Sequence, residues 1–228
     1  MDVNKSNKEY FIKNIDNYNK EEILSKTEER VLKNISSKKY KKVLDIGCGC
    51  GRTTVKLKKR GFDVIGIDYV KEYIDVAKRK SPDIKYRVMD ALKLDKHFKA
   101  ESFDFVLFSF NGLDGIYPHN KRKIVLKQIK KILRKGGIFL YQSHNSWFIG
   151  PSRKYWIRLG KEKMDRKYYF SEKNKKNDEI ICFYQNPLAQ MKILNNMGFK
   201  HIKMIGALPF PNFLNYFIDY APIYICKK

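Results

Sequence analysis

Between residues 43 and 142, short runs rich in apolar residues alternate with helical patterns, and this rhythm restricts the fold more than any other feature of the chain. The runs are 43–46, 64–67, 84–89, 103–110 and 138–142. Helical stretches fall between them at 53–60, 70–80 and 120–134. Gly61, Pro82 and the Gly136-Gly137 pair punctuate them, and Ile124, Leu126, Ile129 and Leu133 form the inward face of the last helix. Strands that are apolar throughout must be covered on both faces, which is the condition of a parallel sheet with helices on each side. Right-handed crossovers then fix most of the topology. A further helix at 187–197, with Pro187 in its first turn and Gly198 at its end, precedes two more strands at 199–205 and 223–226. The expectation is an α/β, doubly wound, mostly parallel seven-stranded sheet with helices on both faces.

The flanking segments break this rhythm. Residues 1–20 are polar and aromatic without a clear period. A helix is expected over 21–35, capped by Asn19, with Ile23, Thr27, Val31 and Ile35 on one face. Residues 1–40 thus read as an N-terminal helical segment, a lid or cap, and 41–228 as the main domain. After the fifth strand, an insertion at 146–186 carries Trp147 and Trp156 among many charges and holds a candidate strand at 180–185. An aromatic loop spans 208–220.

The 228 residues, 43% of them hydrophobic and 14% aromatic, suit one domain with a packed core. No apolar run reaches the about 18 residues of a membrane span. The most apolar stretch, 204–226, is interrupted by Pro209, Pro211, Asn212, Asn215, Asp219 and Pro222. The first ten residues lack the apolar core of a signal peptide. Cys48, Cys50, Cys182 and Cys226 form no metal-ligand spacing, so no metal site is expected, and they read as reduced thiols in a cytoplasmic protein. The formal charge of +24 admits a nucleic-acid partner. Yet lysine outnumbers arginine several-fold and the basic residues are dispersed, which favours a solvated surface.

The most informative local segment is Val43-Leu44-Asp45-Ile46-Gly47-Cys48-Gly49-Cys50-Gly51-Arg52, a glycine-rich turn between a strand and a helix. Such a turn lets a ligand approach bare backbone, beside the free N–H groups of a helix start. Dinucleotide sites space their glycines as Gly-x-Gly-x-x-Gly, and here the third glycine comes one residue early. An NAD dehydrogenase is therefore not expected. Asp68 follows Gly47 by 21 residues and ends the second strand, where an acid accepts ribose hydroxyls. Asp90 ends the third.

Together with Phe103-Asp104-Phe105-Val106-Leu107 and Leu133-Arg134-Lys135-Gly136-Gly137, these residues resemble the class I S-adenosylmethionine (SAM)-dependent methyltransferases. The match is good over 41–145 and loose from Pro187 onward. The resemblance implies SAM as cofactor and S-adenosylhomocysteine as product. It implies that Gly47, Cys48, Gly49 and Gly51 line the methionine part and that Asp45 helps hold its amino group. By the same resemblance Asp68 binds the ribose, Asp90 lies near the adenine amine, and Tyr69 and Ala91 flank the ring. Arg52 at the helix start is a candidate for the methionine carboxylate, and Ser109 and Asn111 are cofactor-side candidates in the loop after strand four.

The acceptor side carries no mandatory signature, because the methyl donor is already activated and alignment supplies much of the rate. His144, at the end of strand five, is the best candidate base. Asp114 stands as a base or a turn residue, and His119 as a helix cap. The loop 109–119 lacks the Asp/Asn-Pro-Pro-Tyr signature of amino-methylating nucleic-acid enzymes. The leading expectation is methyl transfer to O or N of a small-molecule acceptor: a sugar, metabolite or amino compound. An RNA methyltransferase and a non-catalytic SAM-fold partner subunit are the alternatives.

Overall fold

The computed structural model describes residues 2–20, 23–149, 169–173, 178–208 and 212–228. The N-terminal segment forms α1 (Val3–Lys13), α2 (Ile15–Lys20) and α3 (Lys26–Leu32). The alternating region forms β1 (Lys42–Ile46), α4 (Arg52–Lys59), β2 (Asp63–Asp68), α5 (Lys71–Lys80), β3 (Lys85–Val88), α6 (Leu94–His97), β4 (Phe103–Phe108), α7 (His119–Ile132) and β5 (Leu133–Gln142). Then come β6 (His144–Asn145), β7 (Tyr169–Lys173), β8 (Glu179–Gln185), α8 (Pro187–Asn196), β9 (Lys200–Ile205), α9 (Asn212–Ile218) and β10 (Ile223–Lys227).

Seven strands make one sheet in the order β3-β2-β1-β4-β5-β10-β9. β1 to β5 run parallel to their neighbours, and only β10 is antiparallel, to both β5 and β9. The doubly wound sheet expected from the alternation is the sheet observed. Strand pleating explains its two cores. On β4, Phe105 and Leu107 face one side, with Leu57 of α4, Ile74 of α5 and Leu32 of α3. Val106 and Phe108 face the other, with Val125 and Ile129 of α7 and Leu194 of α8. An apolar strand between two helical layers is the consequence of period-two side-chain alternation.

A second, three-stranded sheet has the order β6-β8-β7. It contains the strand expected at 180–185, and the remainder of the insertion, at 150–168 and 174–177, lies outside the described residues.

Four expectations are corrected. Residues 3–20 are largely helical rather than aperiodic. The helix expected at 21–35 is the shorter α3, and its cap is Ser25, not Asn19. Ser25 accepts from the Glu28 backbone N–H at 3.2 Å while the Ser25 N–H donates to Glu28 Oε2 at 2.7 Å, a reciprocal capping box. His119 opens α7 rather than capping it, since Pro118 occupies the cap position, and the His119 ring stacks on Phe183 instead. The aromatic loop at 208–220 contains α9.

Candidate functional site

A cavity of about 400 Å³ opens at the carboxyl edge of the parallel strands. Its floor is the turn after β1. Gly47 and Gly51 adopt φ of +64° and +92°, in the left-handed region that favours glycine. A Cβ on Gly47 would come within 2.9 Å of the Phe108 ring, and one on Gly51 within 2.7 Å of Tyr86 Oη. The turn is thus glycine-rich because both its backbone twist and its packing exclude side chains.

Behind the turn, Asp45 is completely buried and does not line the cavity. Its Oδ2 accepts from the Thr53 and Thr54 hydroxyls at 2.6 and 2.7 Å, which ties β1 to the first turn of α4. Asp45 Oδ1 is buried with no hydrogen-bond partner among the described residues. Burial pushes its carboxyl up to about 6, against the lowering effect of the two hydroxyls.

Asp68 does line the cavity. It accepts from the Gly49 N–H at 3.0 Å and the Val70 N–H at 2.9 Å, so it holds the glycine turn and the start of α5 at once. Burial raises it to about 6 as well, opposed by those backbone N–H groups. Asp90 accepts from the Leu92 N–H at 2.8 Å and caps the short 3₁₀ turn at 91–93. Tyr69, Met89, Ala91 and Leu92 form an apolar wall beside Asp68 and Asp90.

Arg52 borders the cavity, but its guanidinium is already engaged. It donates from Nη1 to Glu28 Oε2 and from Nη2 to Glu28 Oε1, both at 2.7 Å, and from Nη1 to the Ile23 carbonyl at 3.2 Å. Ser109 is buried and donates its hydroxyl to the same Glu28 carboxylate. Burial pushes the Glu28 carboxyl up, but Arg52, Ser109 and the Ser25 N–H outweigh it and hold the group below the usual carboxylate range.

At the far end, the His144 ring stacks on Tyr184 with centroids 4.6 Å apart. Its Nδ1 lies 3.0 Å from Asp114 Oδ2 and its Nε2 3.0 Å from the Asn111 amide nitrogen. Asp114 is fully buried and accepts from Arg122 Nη1 at 2.7 Å, the Ser143 hydroxyl at 2.7 Å and the His144 N–H at 2.7 Å. Asp114 is absent from the cavity lining. His144 and Asn111 do line the cavity.

The sequence suggested a lid at 1–40 but not which side chains reach the cavity. Tyr10 and Phe11 of α1 and Tyr18 of α2 line it, with Ile180 and Cys182 of β8. Asn7, fully buried, fixes α1 in place. It donates to the carbonyls of Gly115 and Ile181 at 3.0 and 2.9 Å and accepts from the Ile181 N–H at 2.9 Å. The four cysteines are free thiols, and no cluster able to hold a metal ion occurs among the described residues. No described helix is long and apolar enough to cross a membrane.

Comparison with known proteins finds similar chains. Residues 43–137 match the family model described as "Methyltransferase domain". A demethylmenaquinone methyltransferase of Staphylococcus aureus is 32% identical over 116 residues, covering 48% of this chain and 46% of that protein. The chain spans about half the length of the curated relatives it matches. A SAM-dependent methyltransferase from Methanosarcina mazei superposes with a TM-score of 0.69 at 19% identity, over 87% of this chain and 96% of that one. A 1,6-didemethyltoxoflavin-N1-methyltransferase of Burkholderia thailandensis, crystallised with its acceptor and S-adenosylhomocysteine, superposes at 0.63 and 16% identity, over 98% and 88%. At these identities the solved structures establish the shared fold.

Proposed function

We propose, from the class I methyltransferase domain at residues 43–137, that the chain transfers a methyl group from SAM to an oxygen or nitrogen of a small-molecule acceptor. The observation that carries this reading is Asp68. It is a buried carboxylate that faces the cavity while bonded to the glycine turn, and its ionised oxygens retain lone pairs for two vicinal hydroxyls. The cavity's volume lies in the range of small-molecule sites. An apolar wall beside two acids fits an adenosine, and bare backbone at Gly47 to Gly49 fits a zwitterionic tail.

In this reading Asp68 binds the ribose, Asp90 and the Tyr69–Leu92 wall receive the adenine, and the glycine turn receives the methionine part. SAM, when bound, supplies an activated methyl group on a sulfonium. The chain's own residues then orient the acceptor, exclude water and accept a proton. His144 is the proton acceptor. With Nδ1 turned to Asp114, the ring carries its proton on that side, and Nε2 is the basic nitrogen, accepting from the Asn111 amide until an acceptor's proton takes that place. Arg122 neutralises Asp114, so the carboxylate steers the ring without adding a net charge to the core. Helices α1 and α2 act as a cap over the cavity, and the second sheet forms the acceptor wall. The acceptor end, walled by aromatic and aliphatic side chains, favours a small molecule over a folded RNA.

Titration calorimetry with SAM, S-adenosylhomocysteine and NAD tests the cofactor reading. Binding of the first two and not the third is expected, and the reverse overturns it. Tritiated-SAM transfer into fractionated extract tests the acceptor: label in small molecules is expected, and label confined to RNA or protein overturns that part.

A further inference from the structure

Glu28 exceeds what its local role requires. A capping box needs one carboxylate oxygen on the Ser25 N–H, and Glu28 Oε2 provides that. The other contacts reach across the fold: to Arg52, 24 residues on, at the end of the glycine turn, and to Ser109, 81 residues on, after β4. These two residues flank the methionine end of the cavity from opposite sides of the sheet centre, and the carboxylate that joins them is only 1% exposed.

The consequences extend beyond Ser109. The Arg52 guanidinium lies over the Phe110 ring at 4.9 Å. Phe110 and Asn111 are consecutive non-glycine residues at φ of +50° and +57°. Such backbone persists only where its surroundings over-determine it. The Ser109 bond to Glu28 and the Arg52 contact on Phe110 supply that determination, and Asn111, so placed, meets His144 Nε2.

We infer that Glu28, from the N-terminal segment, is a positioning residue for cofactor binding, which fixes Arg52 and the 109–111 loop in the geometry the methionine end requires. The inference rests on the SAM reading above. It also changes the role expected for Arg52, whose guanidinium is presented to the cofactor as a held, partly neutralised group and not as a free cation. The N-terminal segment is then part of the cofactor site as well as its cover.

The test is S-adenosylhomocysteine affinity by calorimetry on the full chain, with thermal midpoints recorded alongside. Glu28→Gln keeps the size and loses the charge, and is expected to weaken binding at least tenfold. Ser25→Ala removes the capping hydroxyl but keeps the backbone N–H on Glu28, so it should lower the midpoint and leave affinity within twofold. The double variant Glu28→Gln with Arg52→Lys should lose no more affinity than the worse single one, because both break one unit. Affinity of Glu28→Gln equal to wild type overturns the inference, as does a Ser25→Ala loss equal to that of Glu28→Gln. If Glu28→Gln does not fold, Ser109→Ala replaces it, with a loss of at least threefold expected and unchanged affinity overturning. Wild type that binds no S-adenosylhomocysteine overturns the SAM reading, and this inference with it; wild-type binding with insensitive variants overturns this inference alone.

Discussion

Single carboxylates in this chain do different work according to what surrounds them. Asp68 faces the cavity and Asp45 lies behind it, yet burial raises both to about 6. Asp68→Ala removes the charged acceptor of the ribose and should weaken cofactor binding by about 1.5–3 kcal/mol per lost charged hydrogen bond, read by calorimetry. Wild-type affinity should also fall as pH drops below about 6, where the carboxylate takes up its proton. Asp45 yields a stability prediction. An acid raised from 3.8 to about 6 binds its proton more tightly folded than unfolded, so its contribution to stability declines as pH rises from about 4 through 6. Asp45→Asn abolishes that dependence. Its stability relative to wild type should climb over this window, by about 3 kcal/mol at most, and stay level above it. Denaturant unfolding of both proteins at pH 4 and 7 measures this, and a difference that does not change with pH contradicts the assignment. His144→Ala should lower kcat about 10²–10⁴-fold and remove one limb of the pH–rate profile, with S-adenosylhomocysteine affinity kept. Asp114→Asn should also lower kcat, through the orientation of His144.

At the scale of elements, legibility followed the physics of each segment. The alternating strands and helices were visible because apolar runs repeat with a period that burial imposes. β5 begins earlier than expected, at Leu133, because the Gly136-Gly137 pair that reads as a helix stop lies inside the strand, with Gly136 at φ of +72°. α1 was invisible for a different reason. Its buried positions are Val3 and the polar Asn7, so it docks through amide-to-backbone bonds and writes no apolar stripe. The Ser25-x-x-Glu28 signature was present in the sequence, but nothing there brings Glu28 to Arg52 and Ser109. Gly47 and Asp68 line the cavity where strand ends put them in order, whereas Asp45, expected beside them, lies behind the turn. A lid at 1–40 was suggested, but not that Tyr10, Phe11, Tyr18 and β8 side chains line the cavity, since only tertiary docking assembles them. Asn7→Ala leaves three backbone groups at the α1–β8 junction without partners, which should cost about 1–3 kcal/mol for a buried group left unsatisfied. Limited trypsin digestion should then cleave near Lys5, Lys8 or Lys13 faster than in wild type. An unchanged digestion pattern would mean that α1 is held by something other than Asn7.

Over the whole molecule, the charge of +24 and the small-molecule reading pull toward different partners, and a salt series on RNA binding separates them. Lys56, Lys58 and Lys59 end α4, Lys78, Arg79 and Lys80 end α5, and Lys130 and Lys131 end α7. Cations in a last turn favour the helix dipole, so each helix has a local reason for its lysines. α4 and α5 pack on one face of the sheet and α7 on the other, and their last turns lead into the starts of the parallel strands, at the edge away from the cavity. Helix-end lysines remote from the cavity attract any polyanion by counterion release, without reading sequence. RNA should therefore bind with a Kd of about 10⁻⁴–10⁻⁶ M near physiological salt, weaken steeply as salt rises, and bind equally whatever its sequence. Heparin should compete with it, because only charge is recognised. Filter binding of two unrelated single-stranded RNAs across a salt series measures all three. A nanomolar Kd for one RNA that persists at physiological salt, with the other RNA far weaker, would show a formed RNA site and make RNA the acceptor to test first.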